Sequence, residues 1–120
     1  MKRDLEVIRK LLLRIESYED VELPDIDQRV RSFHLLMLQE RNFTKGIAVV
    51  EIKNGDPQVQ QTMEYVRLTS DGYNFLDSIR DDGIWKKTKE RVAEVGGGVT
   101  FDVLASIATY FVMQKLGVNK

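Results

Sequence analysis

The sequence contains no cysteine, which excludes disulfides and thiolate metal sites and fits a reducing cytoplasm. It holds one histidine, His34, so no histidine cluster exists to bind a metal and no nucleophilic triad assembles around a second base. There is no excess of either charge: 18 basic side chains stand against 19 acidic ones, a net charge of −1. Dedicated nucleic-acid binders usually carry a basic excess, because phosphate contacts supply most of their non-specific affinity. Any such role here must rest on local charge. A long uncharged apolar run is also missing. The most apolar stretch, 99–118, includes Asp102, Ser106, Thr109, Gln114 and Lys115, too polar for a membrane span. Met1-Lys-Arg-Asp4 has no apolar run behind it, so no signal peptide is expected.

What is present is the composition of one soluble domain, 120 residues with 42% hydrophobic and 31% charged side chains, enough to bury its own core. No internal repeat or low-complexity segment interrupts it. Residues 3–17 read as a helix with Leu5, Ile8, Leu12 and Ile15 on one stripe, Leu11 beside it, and Asp4 at its positive end. Ser17–Asp20 breaks the pattern, and Val21–Pro24 reads as extended because Pro24 keeps Leu23 out of helical geometry. Asp25 is positioned to cap a second helix, 26–41, whose predicted buried stripe is Ile26, Val30, Phe33 and Met37. Asn42 suits the left-handed conformation that ends a helix.

Ile47–Ile52 and Met63–Leu68 are rich in β-formers, with turn residues Asn54-Gly-Asp-Pro57 between them, and predict a two-stranded hairpin. Thr69 or Ser70 caps a third helix bearing Tyr73, Phe75, Leu76 and Ile79. Asp81-Asp82-Gly83 makes a break. A helix over 84–94 follows, with Ile84, Trp85, Thr88 and Val92 inward, and Trp85 is expected to dock the C-terminal helices on the preceding part. Gly96–Gly98 reads as a hinge, since no Lys-Ser/Thr follows it as a phosphate loop requires. Thr100 caps a last helix from Phe101 to about Leu116, stopped by Gly117.

Helix, turn, strand, loop, strand, helix is the order of a winged-helix module from its recognition helix onward. The expected fold is therefore mainly helical α+β, a winged-helix-like core over 1–80 with two extra C-terminal helices over 81–120, in a single domain. One departure is that only about eight residues separate the first two helices, so the middle helix of the usual three is missing or reduced to a turn.

Several segments together resemble a family of uncharacterised bacterial and phage proteins catalogued as domain of unknown function 2513. They are Met1-Lys-Arg-Asp4, Phe33-His-Leu35, the run Leu68-Thr-Ser-Asp-Gly-Tyr-Asn-Phe-Leu-Asp77 continuing through Ser78-Ile-Arg-Asp-Asp-Gly-Ile-Trp85, and Gly97-Gly98. Leu68–Trp85 is the specific part. The resemblance implies a winged-helix-like fold and a prophage context, and no catalytic or binding residues come with it. Where relatives often place a small residue and Gly before two apolar residues, this chain has Arg41-Asn42-Phe43-Thr44.

Arg and Gln read guanine and adenine edges, and Lys and Arg hold phosphate. Gln28, Arg29 and Arg31 on the second helix, with Ser32 and Gln39, lie off the predicted stripe. Arg41, Lys45 and Lys53 follow it. Double-stranded DNA contact is thus expected through Gln28, Arg29, Arg31, Arg41, Lys45 and Lys53. The loop from Asn54 to Thr62 adds no cation, so a plain surface loop is its simpler reading. His34 reads as a structural histidine. Asp77, Asp81 and Asp82 resemble a divalent-ion or acid–base cluster, but helix capping and pairing with Arg80 or a nearby lysine explain them more simply. No enzyme, metal, cofactor, small-molecule ligand or membrane partner is expected.

The last helix is apolar most of the way round and needs cover on more than one side. Leu104, Ala108, Phe111 and Val112 are the expected homodimer contacts. Two functions follow as expectations: a cytoplasmic, phage-related DNA-binding regulator, or a protein-interaction module using the C-terminal helix.

Overall fold

A computed structural model describes residues 2–19, 23–53, 56–60, 66–96 and 98–117, with backbone alone for 48–53 and 56–60. Among these the chain is mainly helical α+β: helices α1 (Leu5–Glu16), α2 (Gln28–Glu40), α3 (Ser70–Ile79), α4 (Asp82–Glu94) and α5 (Phe101–Leu116), with four short strands between α2 and α3. Strand β1 (Thr44–Lys45) pairs antiparallel with β4 (Arg67–Leu68), and β2 (Ala48–Lys53) with β3 (Asp56–Gln60). The chain divides into two compact units, Met1–Tyr73 and Asn74–Lys120, and α3 begins in the first and ends in the second.

In the first unit, Asp4 caps α1 by accepting from the backbone N–H groups of Glu6 and Val7. Val7, Ile8, Leu11, Leu12 and Ile15 are buried. α2 starts later than Asp25 and Ile26 suggest. The Ile26 N–H bonds to the Leu23 carbonyl and closes a turn around Pro24, so Asp27 becomes the cap and accepts from the Arg29 N–H at 2.7 Å. The C-terminus of α2 does end as expected. Asn42 takes a φ of +67°, its N–H bonds to Gln39 O, and the Phe43 N–H reaches back to Leu38 O. Phe43 and Leu38, the two positions that usually meet across such a stop, are both buried.

The buried stripe of α2 is not Ile26, Val30, Phe33 and Met37, which are half-buried. It is Arg31, His34, Leu35 and Leu38, at three-, one- and three-residue steps, with Ser32 beside them. α2 carries two apolar sides, one toward α1 and one alongside β3, and periodicity alone selected the wrong one.

The expected hairpin also changes partners. β2 pairs with Asp56–Gln60, inside the stretch expected to be a loop, and a register irregularity lies between Val49 and Glu51. Pro57 sits opposite Ile52, which a two-stranded ladder tolerates because each strand has one unpaired side. The end of the expected second strand, Arg67-Leu68, pairs instead with Thr44-Lys45. The remainder, 63–65, lies outside the described residues, as does Asn54-Gly55. Between β1 and β2 the side chain of Gln39 bridges the gap, donating to Ile47 O and accepting from Ile47 N–H, both at 2.9 Å.

Thr69 caps α3: its hydroxyl accepts from the Gly72 N–H at 3.0 Å and donates to the Asn42 carbonyl, while its own N–H bonds to Phe43 O. In the second unit Phe75, Leu76 and Ile79 are buried, and Tyr73, at the end of the first unit, is exposed. Asp81 caps α4, and Ile84, Trp85, Thr88 and Val92 are buried as the spacing predicts. Thr100 caps α5, and Gly117, at φ +76°, ends it. Phe101 meets Phe75 edge-on, centroids 5.4 Å apart. Among the described residues no helix is long and apolar enough to cross a membrane.

Candidate functional site

Two surfaces carry the residues expected to bind a partner. The first is an edge of the first unit, where α2 passes into β1 and β1 meets β4. Lys45 and Arg67 are direct cross-strand partners, both exposed, and neither has an acidic partner among the described residues. Their neighbours in the ladder, Thr44 and Leu68, are buried, so the pleat turns the two cations outward together. Like charges directly opposite each other are destabilising by about 0.2–1 kcal/mol unless something anionic lies over them. Arg41, the C-cap of α2, lies over the ring of Phe43, 5.1 Å from guanidinium carbon to centroid, and holds a third exposed cation two residues from β1.

The expected DNA-contact residues separate accordingly. Arg41 and Lys45 are exposed on this edge, and Gln28 and Arg29 are exposed at the far end of α2. Lys53 ends β2 opposite Asp56, with its side chain outside the described residues. Arg31 is only 4% exposed and is not on the surface that a groove of DNA would meet. It stands three residues before His34, and the buried stripe carries it inward. Gln39 spends its amide on the Ile47 backbone. Arg67 belongs to the site and escaped the sequence reading. Its pairing with β1 was the missing fact.

His34 is fully buried and bonded at both ring nitrogens. Nδ1 lies 2.7 Å from the Val30 carbonyl, so it carries the proton, and Nε2 accepts from the Asp4 N–H at 2.7 Å. The ring ties α2 to the start of α1 and is structural. The three aspartates do not converge. Asp77 pairs with Arg80 at 2.9 Å, and Asp81 caps α4 and meets Lys115 Nζ at 3.0 Å. Those bonds, first from the Ile84 N–H and then from Lys115, hold the Asp81 carboxyl below its ordinary pKa. Asp82 begins α4 and is exposed. Among the described residues no three acidic or histidine groups converge on a metal position.

The second surface is an open groove of about 900 Å³ in the second unit, between α4 and α5. One wall is Lys87, Glu90, Arg91 and Glu94; the other includes Val103, Ile107, Tyr110 and Phe111. Of the expected self-association residues only Phe111 lines it; Leu104, Ala108 and Val112 do not. Leu104 is 1% exposed and Ala108 fully buried, because they form the side of α5 that packs within the protomer. Phe111 and Val112 are half-buried. The apolar surface left uncovered is Val103, Tyr110, Met113 and Leu116, with Tyr110 49% and Leu116 69% exposed.

A family model described as a hypothetical protein, DUF2513, matches residues 2–99. The chain belongs to that family. An uncharacterised protein of Haemophilus influenzae is 26% identical over 123 residues, covering 97% of this chain and 99% of that protein. No solved structure matches the chain. The family match spans the cationic edge and all of α4 and stops before α5, so the second wall of the groove lies beyond it.

Proposed function

We propose that the chain is a non-enzymatic, winged-helix-like protein that contacts double-stranded DNA through the edge formed by Arg41, Lys45 and Arg67. The observation that carries this is the Lys45–Arg67 pair: two cations held side by side with no acidic partner among the described residues, an arrangement that a phosphate relieves. The order of helix, β-ribbon and helix supports a winged-helix-like docking in which the ribbon edge, rather than a polar face of α2, meets the duplex. A regulatory role in a phage context is part of this proposal; the family resemblance supports the phage context and carries no activity.

Three phosphate contacts set a salt slope near −2.7, a loss of about 40-fold in affinity between 50 and 200 mM salt. Fluorescence anisotropy with a mixed-sequence duplex measures it. Lys45→Glu with Arg67→Glu is expected to abolish binding at 50 mM salt while leaving the far-UV spectrum unchanged. Binding that persists in that variant, or its absence in the wild-type chain at low salt, overturns the proposal.

A second reading is favoured by the uncovered apolar side of α5: the α4–α5 groove accepts a helix of a protein partner. A photo-crosslinking residue at Ser106, which lines the groove, tests it in cells. Discrete protein adducts that vanish on Ile107→Glu support this reading, and an adduct-free lane overturns it.

A further inference from the structure

The α4–α5 groove has a pattern that selects its own occupant. On α5, Val103, Ile107, Tyr110 and Gln114 recur at four-, three- and four-residue steps, the spacing of a seam between paired helices. Tyr110 is held in place by its hydroxyl, which accepts from the Gln114 amide at 2.9 Å, and by edge contact with Phe111. On α4 the groove wall reads Lys87, Glu90, Arg91, Glu94: positive, negative, positive, negative. Arg91 and Glu94 pair within the protomer at 2.9 Å, and Lys87 and Glu90 have no ion-pair partner among the described residues.

That charge order is complementary to itself when reversed. If a second α4 runs antiparallel across the first, about a two-fold axis between residues 90 and 91, Lys87 meets the second copy's Glu94 and Glu90 meets its Arg91. The same axis must also reverse α5 onto α5, and the stagger of the two helices permits it. The Lys115–Asp81 ion pair sets the C-terminal end of α5 level with the N-terminal end of α4. Nine residues inward from each, Glu90 lies level with Ser106, beside Ile107. To within about one residue, one axis therefore serves both helices, passing between Ser106 and Ile107 with Val103 opposite the second copy's Tyr110. Antiparallel isologous pairing of a helix hairpin is a four-helix bundle, the usual means of covering such faces.

We propose that the groove binds a second copy of this chain, forming an antiparallel homodimer in which Ile107 lies beside the two-fold axis and Glu90 pairs with Arg91 across it. This deepens the protein-docking reading of the groove and does not depend on DNA contact.

Sedimentation velocity on the full chain tests it. The wild-type protein is expected to be a dimer that weakens with salt, and Ile107→Glu is expected to weaken association by about 100-fold or more. Arg91→Glu alone places like charges opposite each other twice and is expected to weaken the dimer by at least about tenfold. The combined Glu90→Arg, Arg91→Glu variant restores the complementarity and is expected to return within about threefold of wild type. Circular dichroism of each variant confirms the fold. A monomeric wild-type chain at about 100 μM overturns the proposal, as does a dimer indifferent to Ile107→Glu or an exchange that fails to rescue. If the chain is monomeric while the Ser106 probe captures a different protein, the self-pairing fails and the docking reading stands. If the probe captures nothing, both fail.

Discussion

Replacing Gly72 by alanine is expected to destabilise the protein, although alanine is the better helix former by about 1 kcal/mol. Gly72 lies in the first turn of α3 against backbone, not against a yielding side chain. A Cβ there meets Phe43 O at 2.0 Å, Phe43 C at 2.9 Å and Phe43 Cα at 3.2 Å. Carbon contacts settle near 3.5–4.0 Å, so the helix start must retreat by more than about 1 Å. Phe43 cannot move instead, because its N–H is bound to Leu38 O and its carbonyl to the Thr69 N–H. The retreat stretches that last bond and the one from the Thr69 hydroxyl to Asn42 O. Two hydrogen bonds are worth about 1 kcal/mol each, and overpacking costs about 1–3 kcal/mol more. After subtracting the propensity gain, the net loss is about 2–4 kcal/mol, or about 10 °C in melting temperature for a chain of this size. Urea unfolding followed by far-UV circular dichroism reads it as a lower midpoint at unchanged slope. Gly83→Ala is the control: its Cβ meets only the Asp81 carboxylate oxygen, at 3.2 Å, and the variant is expected within about 1 kcal/mol of wild type. A Gly72→Ala protein as stable as the parent refutes the close-approach argument.

His34→Ala removes the acceptor of the Asp4 N–H and leaves a cavity where a fully buried ring stood, so thermal melting is expected to show a loss of about 2–4 kcal/mol. A loss below about 1 kcal/mol means the ring is not the tie it appears from its two bonds. Thr44 Oγ1 is buried without a hydrogen-bond partner among the described residues, so Thr44→Val is expected to be neutral or stabilising by up to about 1 kcal/mol, and a clear loss in the same assay reveals a partner for that hydroxyl. The Asp81 carboxyl titrates below its ordinary value when folded, so its contribution is complete above that value and is lost as pH falls through the depressed folded pKa. Carbon-detected NMR titration of Asp81 is expected to give a midpoint that rises in Lys115→Met and stays below the ordinary value, because the Ile84 N–H bond remains.

Local chemistry was the legible part. Asp4, Thr69, Thr100, Asn42 and Gly117 start and stop helices where side-chain acceptors and left-handed conformers require, and α4 buries the four residues its spacing names. Pairing was harder to read. The β-propensity of Met63–Leu68 drew the second strand there, whereas Asn54-Gly55, the strongest short hairpin signal, already pointed to a strand beginning at Asp56. α2 misled for a different reason. A helix with apolar residues on two sides offers two stripes, and only the contacts of Leu35, Leu38 and His34 with the rest of the unit decide which is inside. Arg31 followed that choice inward, and Arg67 became visible only once β4 paired with β1.

The two proposed surfaces lie in different units, which makes their joint consequence measurable. A monomer that reaches duplex DNA through Arg41, Lys45 and Arg67 makes about three phosphate contacts and has a salt slope near −2.7. A dimer that lays both edges on one duplex doubles the contacts and steepens the slope to about −5.4. Ile107→Glu touches no cation of the edge, so it is expected to leave the monomer's contacts intact and to return the slope from the steeper value to the shallower one. The comparison separates the alternatives by number rather than by presence or absence of binding. A steep slope that survives Ile107→Glu means the cations outnumber the three assigned here. A shallow slope in a protein shown to be dimeric means the second edge points away from the duplex, and the dimer then serves something other than a two-fold-symmetric site.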